Sequence, residues 1–398
     1  MNLAAIISEY NPFHNGHKYH IEKTRELGAT HVVAVMSPNF VQRGECAVFD
    51  KFTRARIAVE NGVDLVIELP SAYALSCAEN FALGAVKLIN SIGCVDFLSF
   101  GSEVGKLNPL IEASKLTETD DVKRLIRLKL EDGVSFPKAR TDALKEVYSN
   151  EISKIFEKPN NLLAIEYLKA MSKSNSSYNA VTIKRNGVEH DSKITNFEMA
   201  SASYIRNSIL NSHIIPQNFV PCNAFDKYME EICKKNAPTH LKNAEKAIIY
   251  KLRSMKVEEI RNLPDISEGL ENRIVQAANK CTSVEELFEQ IKSKRYTMAR
   301  IKRIICCAFN DIERDMQTKS PPYIRILAFN NKGSEILKRM NNTATLPFST
   351  SLIKLSEEND LCKEFAVTES RCTDNFWLCS SKIFKKGFDY TTKVAIIE

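Results

Sequence analysis

The sequence predicts an α/β protein in three parts: a parallel-sheet unit over residues 1–215, a mainly α-helical unit over 216–319, and a small α/β region over 320–398. Three observations lead there. Short β-branched runs alternate with helical patterns through the first half, which argues for a parallel sheet covered on both faces. Strand-like runs vanish after about Pro216, and amphipathic helices continue to about Lys319. Pro321-Pro322 then breaks the chain before another strand-like run and helix.

Taken in order, Leu3 to Ile7 is the first strand candidate, and a helix starts near Gly16 and runs towards Leu27. His31 to Met36 (HVVAVM), Leu65 to Leu69 (LVIEL) and Phe97 to Phe100 (FLSF) are the next strands, with helical patterns at Lys51 to Asn61 and Ala78 to Ser91 between them. Asn108 to Ser153 is charged and helix-like. Asn160 to Met171 is a helix, Ser172 to Asn179 a polar loop and Ala180 to Lys184 (AVTIK) a strand. Tyr323 to Ala328 and Gly333 to Met340 read as the last strand and helix. Ligands of such sheets bind beyond the C-terminal strand ends, which puts Ser8 to His20 and Gly101 on one edge.

Composition excludes several classes. Hydrophobic residues make up 44% and charged residues 26%, an ordinary globular balance. No apolar run approaches the roughly 20 residues of a membrane span, and the apolar N-terminus lacks the basic segment of a signal peptide. Eleven cysteines without a CxxC pair suit neither zinc nor a disulfide framework. They imply reduced thiols and a cytoplasmic protein. No metal-ligand motif is present. The net charge of +6 is modest, so its distribution matters more than its sum.

Chemistry concentrates in Tyr10-Asn11-Pro12-Phe13-His14-Asn15-Gly16-His17, an HxGH loop between the first strand and its helix. Helix N-terminal amides there suit a polyphosphate, and Gly16 is expected to let backbone and phosphate approach closely. His14 and His17, one before the helix and one in its first turn, can stabilise charge on an α-phosphate and a departing pyrophosphate. Downstream, Ala200-Ser201-Ala202-Ser203-Tyr204-Ile205-Arg206 resembles the SSTxIR-type motif of nucleotidyltransferases. Ser201 and Ser203 are expected to cap a helix, and Arg206 to reach phosphate oxygens.

The runs EYNPFHNGHKYH (Glu9 to His20), VAVMSPNFVQRGE (Val33 to Glu45), GVDLVIELP (Gly62 to Pro70), FGSE (Phe100 to Glu103) and KPNN (Lys158 to Asn161) stand in one order and spacing. SEGLENRI (Ser267 to Ile274), KRYTMARIKR (Lys294 to Arg303) and PYIRILAFNNKG (Pro322 to Gly333) follow. Together they resemble the bacterial tRNA(Met) cytidine acetate ligase family over most of the chain. The resemblance implies a nucleotidyltransferase-like, Rossmann-type first domain. It implies activation of acetate with ATP to acetyl-adenylate, then transfer of acetyl to the wobble cytidine N4 of elongator tRNA(Met). Mg²⁺ would be bound through the phosphates. Carried over by motif, ATP would meet Ile7, Ser8, Glu9, Tyr10, Asn11, Pro12, Phe13, His14, Asn15, Gly16, His17, Lys18, Tyr19 and His20, joined by Gly101, Asn160, Arg185, Ser203 and Arg206. Catalysis would fall to His14 and His17. Gly101 would let purine or ribose lie on backbone, and Asn160 either binds nucleotide or caps its helix.

The segment Lys292 to Arg303 contains six cations and no acid. On a helix, Met298, Ile301, Ile304, Ile305 and Ala308 share one side, with Arg295, Arg300, Lys302 and Arg303 on the other. Without acidic partners at i+4 such a face repels itself and favours a polyanion. Lys294, Arg295, Arg300 and Arg303 are therefore expected to bind tRNA, with Tyr296 stacking on a base. Selectivity for acetate would need a tight wall, expected in part from Ala5-Ile6-Ile7. Two other readings remain open: a small-molecule adenylyl- or cytidylyltransferase, and a non-catalytic tRNA-binding protein that senses nucleotide.

Overall fold

A computed structural model describes residues 1–185, 200–267 and 269–398. The strands are β1 (Leu3–Ser8), β2 (His31–Met36), β3 (Phe40–Val41), β4 (Glu45–Cys46), β5 (Leu65–Glu68), β6 (Phe97–Ser102), β7 (Asn179–Lys184), β8 (Ile324–Asn330), β9 (Phe348–Ser349) and β10 (Ala395–Ile397). Among the described residues they form an eight-stranded sheet ordered β10-β8-β5-β2-β1-β6-β7, with β9 on β8, and the small β3-β4 hairpin. β1 pairs parallel with β2 and β6, and β2 with β5. β1 and β2 are almost wholly buried because helices cover both faces.

The sheet is mainly parallel, as the alternating pattern predicts, with one exception: β8 runs antiparallel to β5. The C-terminal region over 320–398 thus returns to the N-terminal sheet and extends it through β8 and β10. Close packing fixes this junction. A Cβ on Gly333, in the helix Asn331–Thr343, would stand 2.1 Å from the Asp64 carbonyl oxygen. A buried ionic cluster secures it further. Lys51 Nζ donates to Glu68 Oε1 at 2.5 Å and Asp389 Oδ2 at 2.6 Å, and Arg325 Nη2 donates to Asp389 Oδ1 at 2.9 Å. These residues are widely separated in sequence, so no local pattern announces the cluster.

Between β6 and β7 the chain is helical, as expected, ending in the helix Pro159–Lys173. From Gln217 to Gln317 it is also helical, including Met298–Phe309. The long helix Asp360–Leu378 was not apparent from the sequence. All eleven cysteines carry thiols, eight of them buried. No helix among the described residues is long and apolar enough to cross a membrane. Glu268, within the SEGLENRI run, lies outside the described residues.

Candidate active site

The loop after β1 is held from several directions. Arg54, fully buried, donates through Nη1 to the carbonyls of Glu9 (2.6 Å) and Ser37 (3.0 Å), through Nε to Phe49 (2.9 Å), and also to the Pro38 carbonyl. Asn11 Oδ1 accepts from Val48 N–H at 2.9 Å, and the Asn11 carbonyl accepts from Arg206 Nη1 at 2.8 Å. Tyr228 Oη donates to the Phe13 carbonyl at 3.2 Å. Backbone carbonyls bound to a buried guanidinium fix the loop's course without consuming its side chains.

His14 occupies the N-cap of the helix Asn15–Glu26, and His17 its third position. Gly16 N–H donates to His14 Nδ1 at 3.0 Å, and His14 N–H donates to His17 Nδ1 at 3.3 Å. The rings stack with centroids 3.8 Å apart. An Nδ1 that accepts carries a lone pair, so each ring bears its proton on Nε2. Both residues line the same cleft. Burial pushes the His17 pKa well down, with His14, Arg185 and His20 adding to it. His20 is held at about 4 by burial and then by Arg185. His20 Nε2 and Ser99 Oγ lie 3.1 Å apart, and Ser99 Oγ lies 2.7 Å from Thr24 Oγ1.

Two expectations change here. The Gly16 and His17 amides are taken up by His14, at Nδ1 and at its carbonyl oxygen. Those two amides are therefore satisfied within the protein. A Cβ on Gly16 would lie 2.8 Å from His14 Cε1, so this glycine makes room for the histidine ring.

The cleft has a volume of about 250 Å³. Ile7, Ser8, Glu9, Tyr10, Asn11, His14, His17 and His20 line it from the first run, with Gly101, Asn160, Arg185 and Arg206 from elsewhere. Pro12 and Phe13 are buried beneath the loop, the Asn15 side chain donates to the Asn218 carbonyl, Lys18 is exposed, and Tyr19 lies under Lys23. Ser201 caps the helix Ala202–Ser212, whereas Ser203 accepts from Arg206 Nη2 at 3.1 Å. Ser203 thus steadies the arginine instead of capping. A Cβ on Gly101 would stand 3.2 Å from Arg185 Cγ, so Gly101 clears space for the Arg185 stem. Asn160 is not the helix cap; Lys158 holds that position.

Sequence reasoning gave no task to Gln42, Arg43, Phe81, Phe100, Leu163 and Tyr167, which also line the cleft. Gln42 and Arg43 lie within the VAVMSPNFVQRGE run, which was the available signal. The apolar wall comes from Phe81, Phe100, Leu163 and Tyr167; of Ala5-Ile6-Ile7 only Ile7 lines the cleft, because Ala5 and Ile6 sit inside the sheet. Among the described residues, Arg43, Arg185 and Arg206 line it together with one carboxylate, Glu9. Such a cleft suits a polyanion carrying an apolar or aromatic group.

The basic segment departs further from expectation. Its helix begins at Met298, and Ile301, Ile304, Ile305 and Ala308 are buried as the pattern predicts. Arg303 is buried too and donates to Asp265 Oδ2 at 3.0 and 3.2 Å. Arg300 donates to the Asp265 carbonyl at 2.7 and 3.0 Å and to Ser267 Oγ at 2.7 Å, while lying over the buried Tyr296 ring. Tyr296 is thus unavailable for base stacking. Lys302 pairs with Glu45 at 2.7 Å, and Arg295 Nη2 donates to the Leu130 carbonyl. The face does not repel itself because its partners come from distant segments. Lys294 is exposed. The same helix crosses the β3-β4 hairpin so closely that a Cβ on Gly44 would meet Arg303 N at 2.3 Å. It therefore buttresses the hairpin that carries Gln42 and Arg43 into the cleft.

Residues 1–388 match the family described as HIGH Nucleotidyl Transferase. A tRNA(Met) cytidine acetate ligase of Thermoanaerobacter sp. (strain X514) is 40% identical over 397 residues, 98% of each chain. That of Caldanaerobacter subterraneus subsp. tengcongensis is 43% identical over 360 residues, covering 88% of this chain and 89% of its own. The apo crystal structure of Thermotoga maritima TmcAL is similar over 100% of both chains, with a TM-score of 0.93 and 33% identity. The same protein bound with alpha-thio ATP gives a TM-score of 0.92 at 32% identity, again over 100% of both chains.

Proposed function

This chain belongs to the tRNA(Met) cytidine acetate ligase family of HIGH nucleotidyl transferases, and we propose that its histidine cleft joins ATP to acetate as acetyl-adenylate before the acetyl group passes to tRNA. It is an ATP-dependent ligase acting on the cytidine of tRNA(Met). The observation that carries the adenylate step is the placing of His14 and His17, stacked at the start of the helix Asn15–Glu26, in a cleft also lined by Arg43, Arg185 and Arg206.

In this reading the triphosphate lies along the loop, with the imidazole N–H groups and the arginines on its oxygens. The acetate oxygen attacks the α-phosphorus while the bond to pyrophosphate breaks, and the chain stabilises the charge that moves onto the leaving group. Burial, which disfavours the charged form of His17, keeps that ring a neutral donor suited to this work. Among the described residues no group of three or more His, Cys, Asp or Glu is arranged to hold a metal ion. Mg²⁺, bound through the phosphates, would offset their charge. The cytidine amine then attacks the acetyl carbonyl, AMP leaves, and the amine loses a proton. Single-stranded anticodon bases present that amine without unpairing.

We assign ATP and acetate to residues 1–215 and propose that tRNA meets the helical part over 216–319. The helix Met298–Phe309 supports this, since it abuts the cleft's own hairpin. Purified protein with tRNA and ATP plus acetate should yield N4-acetylcytidine on digestion, and acetyl-CoA without ATP should yield none. Product from acetyl-CoA alone would overturn the ligase mechanism.

A further inference from the structure

Glu103 follows β6, and its hydrogen bonds converge on the start of the helix Pro159–Lys173. Its Oε1 accepts from Asn160 N–H at 3.3 Å and Asn160 Nδ2 at 2.6 Å, and its Oε2 accepts from Asn161 N–H at 2.8 Å. The favour is returned: Glu103 N–H and Val104 N–H donate to Asn161 Oδ1 at 2.9 and 3.1 Å. Asn161 is buried. A carboxylate at a helix N-terminus also meets the positive end of the helix dipole. This reciprocal clamp joins the strand end carrying Phe100 and Gly101 to the helix carrying Asn160, Leu162 and Leu163, so it assembles one wall of the cleft.

We propose that Glu103 is a positioning residue that fixes which end of the Asn160 amide faces the nucleotide, so that Asn160 reads a hydrogen-bond donor on the base or sugar. This rests on the reading that the cleft binds ATP. An ionised carboxylate only accepts, so the amide nitrogen must lie on Glu103; the flipped amide would set oxygen against oxygen. Asn160 Oδ1 is then the end offered to the cleft that Asn160 lines. An acceptor there pairs with an exocyclic amine or a ribose hydroxyl and opposes a carbonyl. Leaving a polar partner unmatched discriminates strongly between otherwise similar ligands.

The test is the equilibrium Kd of the full-length protein for ATP, inosine triphosphate and 2′- and 3′-deoxy-ATP. Inosine triphosphate replaces the amine by a carbonyl, and the deoxynucleotides remove one hydroxyl each, so these arms show which donor is read. Wild type is expected to bind one of the three at least about tenfold more weakly than ATP. Glu103→Gln lets the Asn160 amide turn, and that ratio should shrink towards one; because it is a ratio, loss of folded protein does not move it. On an Asn160→Ala background Glu103→Gln should leave the ratio unchanged. An equal loss of affinity for all four nucleotides, or the same effect of Glu103→Gln with and without Asn160, would overturn the proposal. If ATP affinity were untouched in both Asn160→Ala and His17→Ala, the nucleotide reading itself would fall.

Discussion

The HxGH loop and the basic segment over 292–303 both gather nitrogen donors close to the cleft, and they dispose of them in opposite ways. In the loop, backbone amides satisfy the Nδ1 atoms of His14 and His17, and both rings line the cleft. In the basic segment the guanidinium groups of Arg300 and Arg303 are spent on Asp265 and Ser267, and the ammonium of Lys302 on Glu45. Rings held from behind by the backbone line the cleft. Donors bound through their charged ends hold the protein together, whatever their net charge suggests.

That contrast can be broken most easily at the histidines. His14→Ala or His17→Ala should lower acetate-dependent ATP–pyrophosphate exchange on the order of 10²–10³-fold, with the melting temperature little changed. Retention of near-normal exchange by either variant would remove that ring from the chemistry. Arg303→Ala should do the reverse. It strands the Asp265 carboxylate, and a loss of about 1–3 kcal/mol is expected in denaturant unfolding. A fully stable variant that lost only tRNA affinity would return this arginine to the RNA surface.

A smaller effect should follow pH. The His20 pKa is held at about 4, below the ordinary 6.5, by burial and then by Arg185. Between those values the unfolded chain binds more protons, so the stability His20 contributes is complete above about pH 6.5 and is lost as pH falls towards 4. The stability difference between wild type and His20→Gln, followed from about pH 7 to about pH 4.5, should therefore move against wild type on acidification. A constant difference would mean that His20 is not desolvated. The smallest change is expected at Lys294, which is exposed. Lys294→Glu should weaken tRNA binding a few-fold at low salt, with less effect as salt rises. Unchanged affinity at both salts would leave the segment without an RNA contact.

What could be read from the sequence follows the distance over which each feature is made. β1, the loop and its helix are formed by neighbours in the chain, so the strand, the N-cap position of His14 and the place of the cleft were all legible. Arg206 was legible as a residue of the cleft because its motif is also local, although its anchor on the Asn11 carbonyl was not. The neutralisation of Arg303 depends on Asp265, and that of Lys302 on Glu45. No periodicity within the segment reports on either partner. The antiparallel β8 was readable as a strand, but not its return to the edge of β5, which depends on close packing at Gly333 and on the buried pairs of Lys51 and Arg325. The need for space at Gly16 for the protein's own His14 ring was not legible, because it depends on the ring's rotamer.

In the proposed reaction the cleft activates acetate by attack on the α-phosphate of ATP, before tRNA takes part. The direct measurement supplies purified protein with ATP and acetate labelled with ¹⁸O in the carboxylate, then analyses the nucleotide released on adding tRNA. Pyrophosphate exchange without tRNA is expected, with one ¹⁸O atom carried into AMP. ADP and inorganic phosphate as products, with the label in phosphate, would show an acetyl-phosphate route and contradict it.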